Sequence, residues 1–179
     1  MPRYIALIRG VNLGGHTVKM DRLKKLFEEL GFKNVETFIA SGNVIFETAS
    51  KSAGALEKKI TGHLEKSLGF PALTFVRSDA ELAAVLEHEA LEHFGTHSVY
   101  IAFLPAAPSK ESHAKLMSYR TKIDDFHVNG REVYWVCKTH MSDSPFFRVG
   151  LEKALGTKAT VRNATTITKL VDKYPCKKK

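Results

Sequence analysis

Leu64-Glu65-Lys66-Ser67-Leu68-Gly69 returns later in the chain as Leu151-Glu152-Lys153-Ala154-Leu155-Gly156. Each copy reads as the last turns of a helix closed by glycine, the residue that takes the left-handed cap conformation without a Cβ penalty. Two shorter matches flank this one in the same order: Tyr4-Ile5-Ala6 returns as Tyr100-Ile101-Ala102, and Val76-Arg77-Ser78 as Val161-Arg162-Asn163. Three matches in corresponding places point to a tandem repeat, which sets the frame for every other assignment.

The elements between the matches follow one order in both copies. Tyr4 to Ile8 is apolar at consecutive positions, as in a strand buried on both faces, and it stops at Arg9-Gly10. Met20, Leu23, Leu26, Phe27 and Leu30 recur at helical spacing before Gly31. Val35 to Ala40 and Val44 to Glu47 flank the turn triplet Ser41-Gly42-Asn43 and predict a hairpin. A helix over 54–68, a strand over 73–76 and a helix opened by the cap signature Ser78-Asp79-Ala80-Glu81 complete the first copy. The second copy runs through a strand at 99–104, a helix at 109–119 and a hairpin about Asn129-Gly130. It then continues through a helix at 146–155, a strand at 159–162 and a helix at 165–174. The pattern predicts an α+β chain, a tandem duplication of ferredoxin-like βαββαβ units, each with a trailing helix, packed as one two-lobed body. The halves are expected at 1–92 and 93–179, with a surface connector near Glu89 to Thr96.

At 179 residues and 44% hydrophobic content the chain has enough apolar material for such a core. Lysine and arginine number 27 against 19 acidic residues, a net charge of +8 that favours anionic partners without choosing among them. Part of the excess lies in the terminal Lys177, Lys178 and Lys179, which read as a solubilising tail. Two cysteines, Cys137 and Cys176, outside any metal-ligand spacing, suit a reducing compartment. With no apolar signal segment and no run long enough to span a bilayer, the expectation is a cytoplasmic protein without a membrane partner. Neither a cofactor nor an oligomeric state is indicated.

The loop Arg9-Gly10-Val11-Asn12-Leu13-Gly14-Gly15-His16-Thr17 joins the first strand to the first helix, where glycines can turn backbone amides toward an anion. It departs from a nucleotide P-loop at one decisive place. His16 stands where that motif needs a lysine, and a neutral imidazole does not replace a fixed ammonium at phosphates. In a βαββαβ unit strands one and two run parallel, so this loop and the turn Ser41-Gly42-Asn43 are expected at the same end of the sheet. Arg9, Gly10, Asn12, Gly14, Gly15, Ser41, Gly42 and Asn43 are therefore the candidate ligand-binding residues, and each also has a plain structural reading as turn chemistry. His16, Arg162, Asn163 and Lys169 are secondary candidates. Asn163 reads equally as a helix cap, and Arg162 as a structural ion pair, since its repeat equivalent is Arg77. His88, His93 and His97 do not form a metal motif: the first two would stand about 140° apart on a helix. No Ser/His/Asp set or close carboxylate pair stands out, so catalysis is neither claimed nor denied.

These residues carry a resemblance. Arg9-Gly10-Val11-Asn12-Leu13-Gly14-Gly15, Met20 and Leu23, Gly31-Phe32, Ser41-Gly42-Asn43-Val44, and Arg162-Asn163 with Lys169-Leu170 resemble the bacterial domain-of-unknown-function family numbered 1697. The likeness extends over nearly the whole chain. It implies that Arg9, Asn12, Gly14, Gly15, Ser41, Gly42 and Asn43 are the best site candidates, and it brings no activity with it. Members often carry a lysine near His16 and an aromatic residue where this chain has Ala164.

Three function classes follow. The first is a polar or anionic small-molecule site at the glycine loop and the Ser-Gly-Asn turn. A nucleic-acid-binding protein is the alternative, with Tyr4 and Tyr100 at positions where RNA-recognition strands place stacking rings. The third is a partner-binding module without chemistry, which would use Phe146-Phe147 as an exposed patch.

Overall fold

Consecutive apolar residues from Tyr4 to Ile8 place the first strand inside its sheet, and the sheet is built around it. In a computed structural model, which describes residues 1–12, 14–40 and 42–176, the first half runs β1 (Arg3–Ile8), α1 (Met20–Glu29), β2 (Lys33–Thr37), β3 (Asn43–Glu47), α2 (Ala53–Leu68) and β4 (Thr74–Ser78). Its four strands lie in the order β2-β3-β1-β4, every neighbouring pair antiparallel. That is the ferredoxin-like arrangement the sequence predicts. The same order follows in the second half: β5 (Ser98–Phe103), α4 (Lys110–Met117), β6 (Asp124–Asn129), β7 (Glu132–Cys137), α5 (Phe146–Val149), α6 (Leu151–Leu155), β8 (Thr160–Asn163) and the trailing α7 (Ala164–Lys173). Its sheet order is β6-β7-β5-β8. The trailing helix of the first half is α3 (Asp79–Val85).

The repeat is written in contacts as well as letters. Tyr4, Ile5 and Ala6 face Ser78, Arg77 and Val76 across the first sheet, and Tyr100, Ile101 and Ala102 face Asn163, Arg162 and Val161 across the second. Glu65 accepts the backbone N–H of Ala72 at 3.2 Å, and its counterpart Glu152 accepts that of Ala159 at 3.0 Å. Gly69 and Gly156 close their helices in the left-handed conformation, at φ 76° and 66°.

In the first half Leu23, Phe27, Ile60 and Leu64 of the two helices pack with Tyr4, Ala6, Ile8, Val44 and Phe46 of the sheet. Each such side chain contributes about 1.5–3 kcal/mol on burial. Ile5, Leu7, Ile45 and Phe75, on the alternate positions, are buried too, so both faces of the sheet are dry. In the second half Leu116, Phe126, Trp135, Phe146 and Leu151 form the corresponding core. A buried carboxylate sits beside it: Asp124 accepts the Trp135 indole N–H at 2.8 Å and the Ser144 hydroxyl at 2.8 Å.

Three details depart from the sequence reading. The helix expected over 146–155 is two pieces, because Gly150 at φ 76° and ψ 153° interrupts it. The helix expected to reach His88 stops at Val85, and Glu89–His93 forms a 3-10 turn instead of a surface connector. That segment packs on β5 and β7. Val85 accepts the Tyr134 hydroxyl at 2.9 Å, Ala90 is fully buried, and the His88 ring stacks on Tyr134 with centroids 4.3 Å apart. By contact, Ala84–Lys173 forms one compact unit, and Met1–Ala83 together with residues 174–176 forms the other. There Tyr174 donates to Glu36 at 2.6 Å and Pro175 accepts from Arg3 at 3.1 Å.

The two strand-to-helix connections differ in kind. The first is the glycine loop, and Lys19, the residue before α1, makes no side-chain cap bond. The second holds Pro105 and Pro108 and ends on Ser109, whose hydroxyl accepts the Ser112 N–H at 3.1 Å and caps α4. Among the described residues no helix is long and apolar enough to cross a membrane, and no group of His, Cys, Asp or Glu is placed to hold a metal.

Candidate functional site

The end of β1 and the β2–β3 turn meet as the parallel run of β1 and β2 requires. The Ile8 N–H donates to Gly42 O at 2.9 Å, and the Arg9 N–H donates to Leu73 O at 2.8 Å on the other side. The turn itself closes on Phe38 and Asn43: the Phe38 N–H donates to Asn43 O at 2.9 Å, and the Asn43 side-chain amide returns to Phe38 O at 2.9 Å. Asn43 is fully buried. Gly42 has φ 78°, and a Cβ there would lie 3.1 Å from Ile8 O and 3.3 Å from Val11 Cγ2. The motif glycine thus lets two backbones touch.

Asn12 joins the two loops. Its side-chain amide donates to Ala40 O, and its side-chain oxygen accepts the Val18 N–H at 3.0 Å. Asn12, Gly42 and Asn43 therefore tie the loop and the turn together. Ser41, the other turn candidate, and Leu13 lie outside the described residues, as do Lys177, Lys178 and Lys179. Ile39 is the unforeseen member of the turn. It is a β-branched residue held at φ 57° with its side chain about half exposed, a conformation that costs roughly 1–2 kcal/mol.

From Gly14 the loop is open. Gly14 and Gly15 are exposed at φ 64° and 84°, with nothing within 4 Å of an added Cβ. His16 leaves the loop and lays its ring on Phe70, centroids 4.0 Å apart and planes 13° from parallel. Beside this pair lies an open groove of about 320 Å³, lined by Thr17, Val18, Lys19, Arg22, Leu68 and Phe70. Arg22 donates to Ser67 O at 2.9 Å, which fixes its guanidinium at the groove wall. Half-exposed Arg9 and Gly10 stand at the opposite end of the loop. The groove was missed in the sequence because its members come from two helices and a loop. The one signal was an aromatic residue, Phe70, placed directly after a helix-ending glycine.

The secondary candidates of the second half lie on β8 and α7. Arg162 is buried and donates to Thr160 Oγ1 at 2.6 Å and to Val161 O at 3.0 Å. Burial pushes its guanidinium down to about 10, so it stays charged at neutral pH. Asn163 accepts the Thr166 N–H at 3.0 Å and caps α7. Lys169 lies exposed on that helix. In the first half the corresponding arginine, Arg77, pairs with Glu57 at 3.6 Å.

The rings of the nucleic-acid reading are turned into cores. Tyr4 is buried against Phe46, with centroids 5.9 Å apart, and donates its hydroxyl to Ser50 O. Tyr100 lies 5.3 Å from Trp135 and packs on the second core. Phe146 is core as well, while Phe147 is about half exposed.

A family described as a protein of unknown function, DUF1697, matches residues 1–134. No curated protein matches. Among solved structures, the conserved bacterial protein SP0830 from Streptococcus pneumoniae is similar at a TM-score of 0.73 and 24% identity, over 96% of this chain and 97% of that one. This likeness speaks for the fold alone.

Proposed function

The chain belongs to the DUF1697 family of proteins of unknown function, and we propose that it binds a polar or anionic small molecule at the glycine loop of its first half. The observation that carries the reading is the loop's division into a stapled part and an open part. Asn12 ties the loop to the β2–β3 turn and to Val18. The exposed Gly14-Gly15 stretch then leads straight into a groove whose wall holds Lys19 and Arg22. Glycines at positive φ turn successive amides outward, and fixed cations beside them suit a phosphate or carboxylate. Strain at Ile39 next to the same loop supports the reading, since strained backbone gathers at functional sites. Within it, an exposed Cys176 and a buried Cys137, both thiols, accord with a reducing, cytoplasmic setting.

A thermal-shift screen with nucleotides, phosphosugars and acyl phosphates tests the proposal. A ligand at about a hundredfold its dissociation constant adds about 2.7 kcal/mol of stability. No shift with any anion would refute it. Lys19→Gln then examines the groove wall, since Lys19 lines the groove and makes no side-chain cap bond to α1. The expected outcome is an almost unchanged midpoint in the absence of ligand and loss of the ligand-induced shift. A large fall in the midpoint with the shift intact would make Lys19 a structural residue.

A further inference from the structure

We infer that the ligand carries a planar ring together with its negative charge, and that Phe70 receives the ring on the face now covered by His16. The inference rests on the anion reading above and adds the chemical class. Phe70 is anchored, since its partly buried ring packs against the first core. One face of it already holds a ring: the His16 imidazole lies 4.0 Å away and 13° from parallel, which shows that the space admits a flat group in stacking geometry.

His16 is the more easily displaced partner of the two. It is exposed, and it follows Gly14 and Gly15, around which there is open space. The loop can therefore carry the imidazole off Phe70 without meeting the core. It cannot move as a whole, because Asn12 holds its first part. Loop freedom is thus confined to the residues that carry the ring.

The groove joins Phe70 to charge. Lys19 and the pinned Arg22 share it with Phe70, and Leu68 and Val18 give it an apolar side. A bare phosphate or a sugar phosphate would use the cations and leave the aromatic face idle. An aromatic anion uses both. At about 320 Å³ the space is at the small end of ligand sites, suited to one ring system with one anionic group and too small for a dinucleotide.

Titration calorimetry with AMP, ribose 5-phosphate and inorganic phosphate tests the class, because the three differ in the ring and share the charge. AMP is expected to bind at least tenfold more tightly than ribose 5-phosphate, as stacking on an aromatic side chain supports. Phe70→Leu should reduce that preference to threefold or less while leaving ribose 5-phosphate binding in place. His16→Ala, which leaves the core untouched, should retain or strengthen AMP binding by removing the competing ring. Equal affinities for AMP and ribose 5-phosphate would overturn the ring and leave the anion reading standing. Failure of all three phosphates to bind would overturn both. A Phe70→Leu loss shared equally by both sugar-containing ligands, or an AMP preference abolished by His16→Ala, would also refute the exchange of rings on Phe70.

Discussion

Gly42 and Gly14 hold similar left-handed angles, φ 78° and 64°, yet they do different work. An alanine at Gly42 must bear the angle and also place a Cβ 3.1 Å from Ile8 O, whereas one at Gly14 bears the angle alone. Gly42→Ala is therefore expected to destabilise by about 2–4 kcal/mol and Gly14→Ala by about 1 kcal/mol. Urea unfolding of the two variants measures the gap, and equal losses would contradict the close approach of turn and strand. The motif residues were legible as a group from their types: glycine, asparagine and serine at loop positions. Their roles were not, because an asparagine that staples two loops and one that faces a ligand look alike until the partner, here Ala40 O or Phe38 O, is known. Ile39 gave no signal at all, since a β-branched residue at a strand end is expected to stay extended.

Between Val85 and Phe94 the chain behaves as part of the second sheet. Neutral His88 is the key to that segment: its Nδ1 accepts the Ala90 N–H at 3.1 Å while its ring covers Tyr134. Its surroundings are mixed. His127 stands edge-on at 5.7 Å and is itself flanked by Glu89 at 3.6 Å and Asp125 at 3.4 Å, with Arg120 on Asp125 at 2.7 Å. Burial first, and His127 second, hold His88 below its ordinary value, with Glu89 pulling the other way. A histidine lowered on folding takes up its proton less readily in the native state than in the unfolded one. Its stabilising share is then complete above about pH 6.5, declines as pH falls through that value, and levels once native His88 is protonated too. His88→Asn, which can accept the same N–H, should flatten the fall between pH 6.5 and 5 in a thermal-midpoint series. An unchanged slope would assign the dependence to another group. The packing of this segment was not legible in the sequence, because a histidine cap and one buried alanine, Ala90, carry no periodic pattern and read as linker.

At the scale of the whole molecule, the duplicated βαββαβ order was fully readable, because strand and helix periodicities and glycine caps are local and occur twice. The charge was readable only as a sum. A net +8 invites a nucleic-acid reading, yet of the tyrosines that would stack bases Tyr4 lies within the first core and Tyr100 packs partly buried against the second. Single-stranded RNA in filter binding at two salt concentrations is therefore expected to bind weakly, with a shallow slope. A steep slope would demonstrate phosphate contacts on some other surface. The two strand-to-helix connections allow a different kind of comparison. One copy has glycines and an uncapped α1; the other has Pro105, Pro108 and a Ser109 cap. Prolines restrict the unfolded chain and the native loop alike, so the second copy is the first with this connection stiffened. The protein thus contains its own control experiment. Transplanting the 104–109 connection in place of 9–19 should preserve a folded first half and remove every ligand-induced shift, and a chimera that still responds would place the site elsewhere.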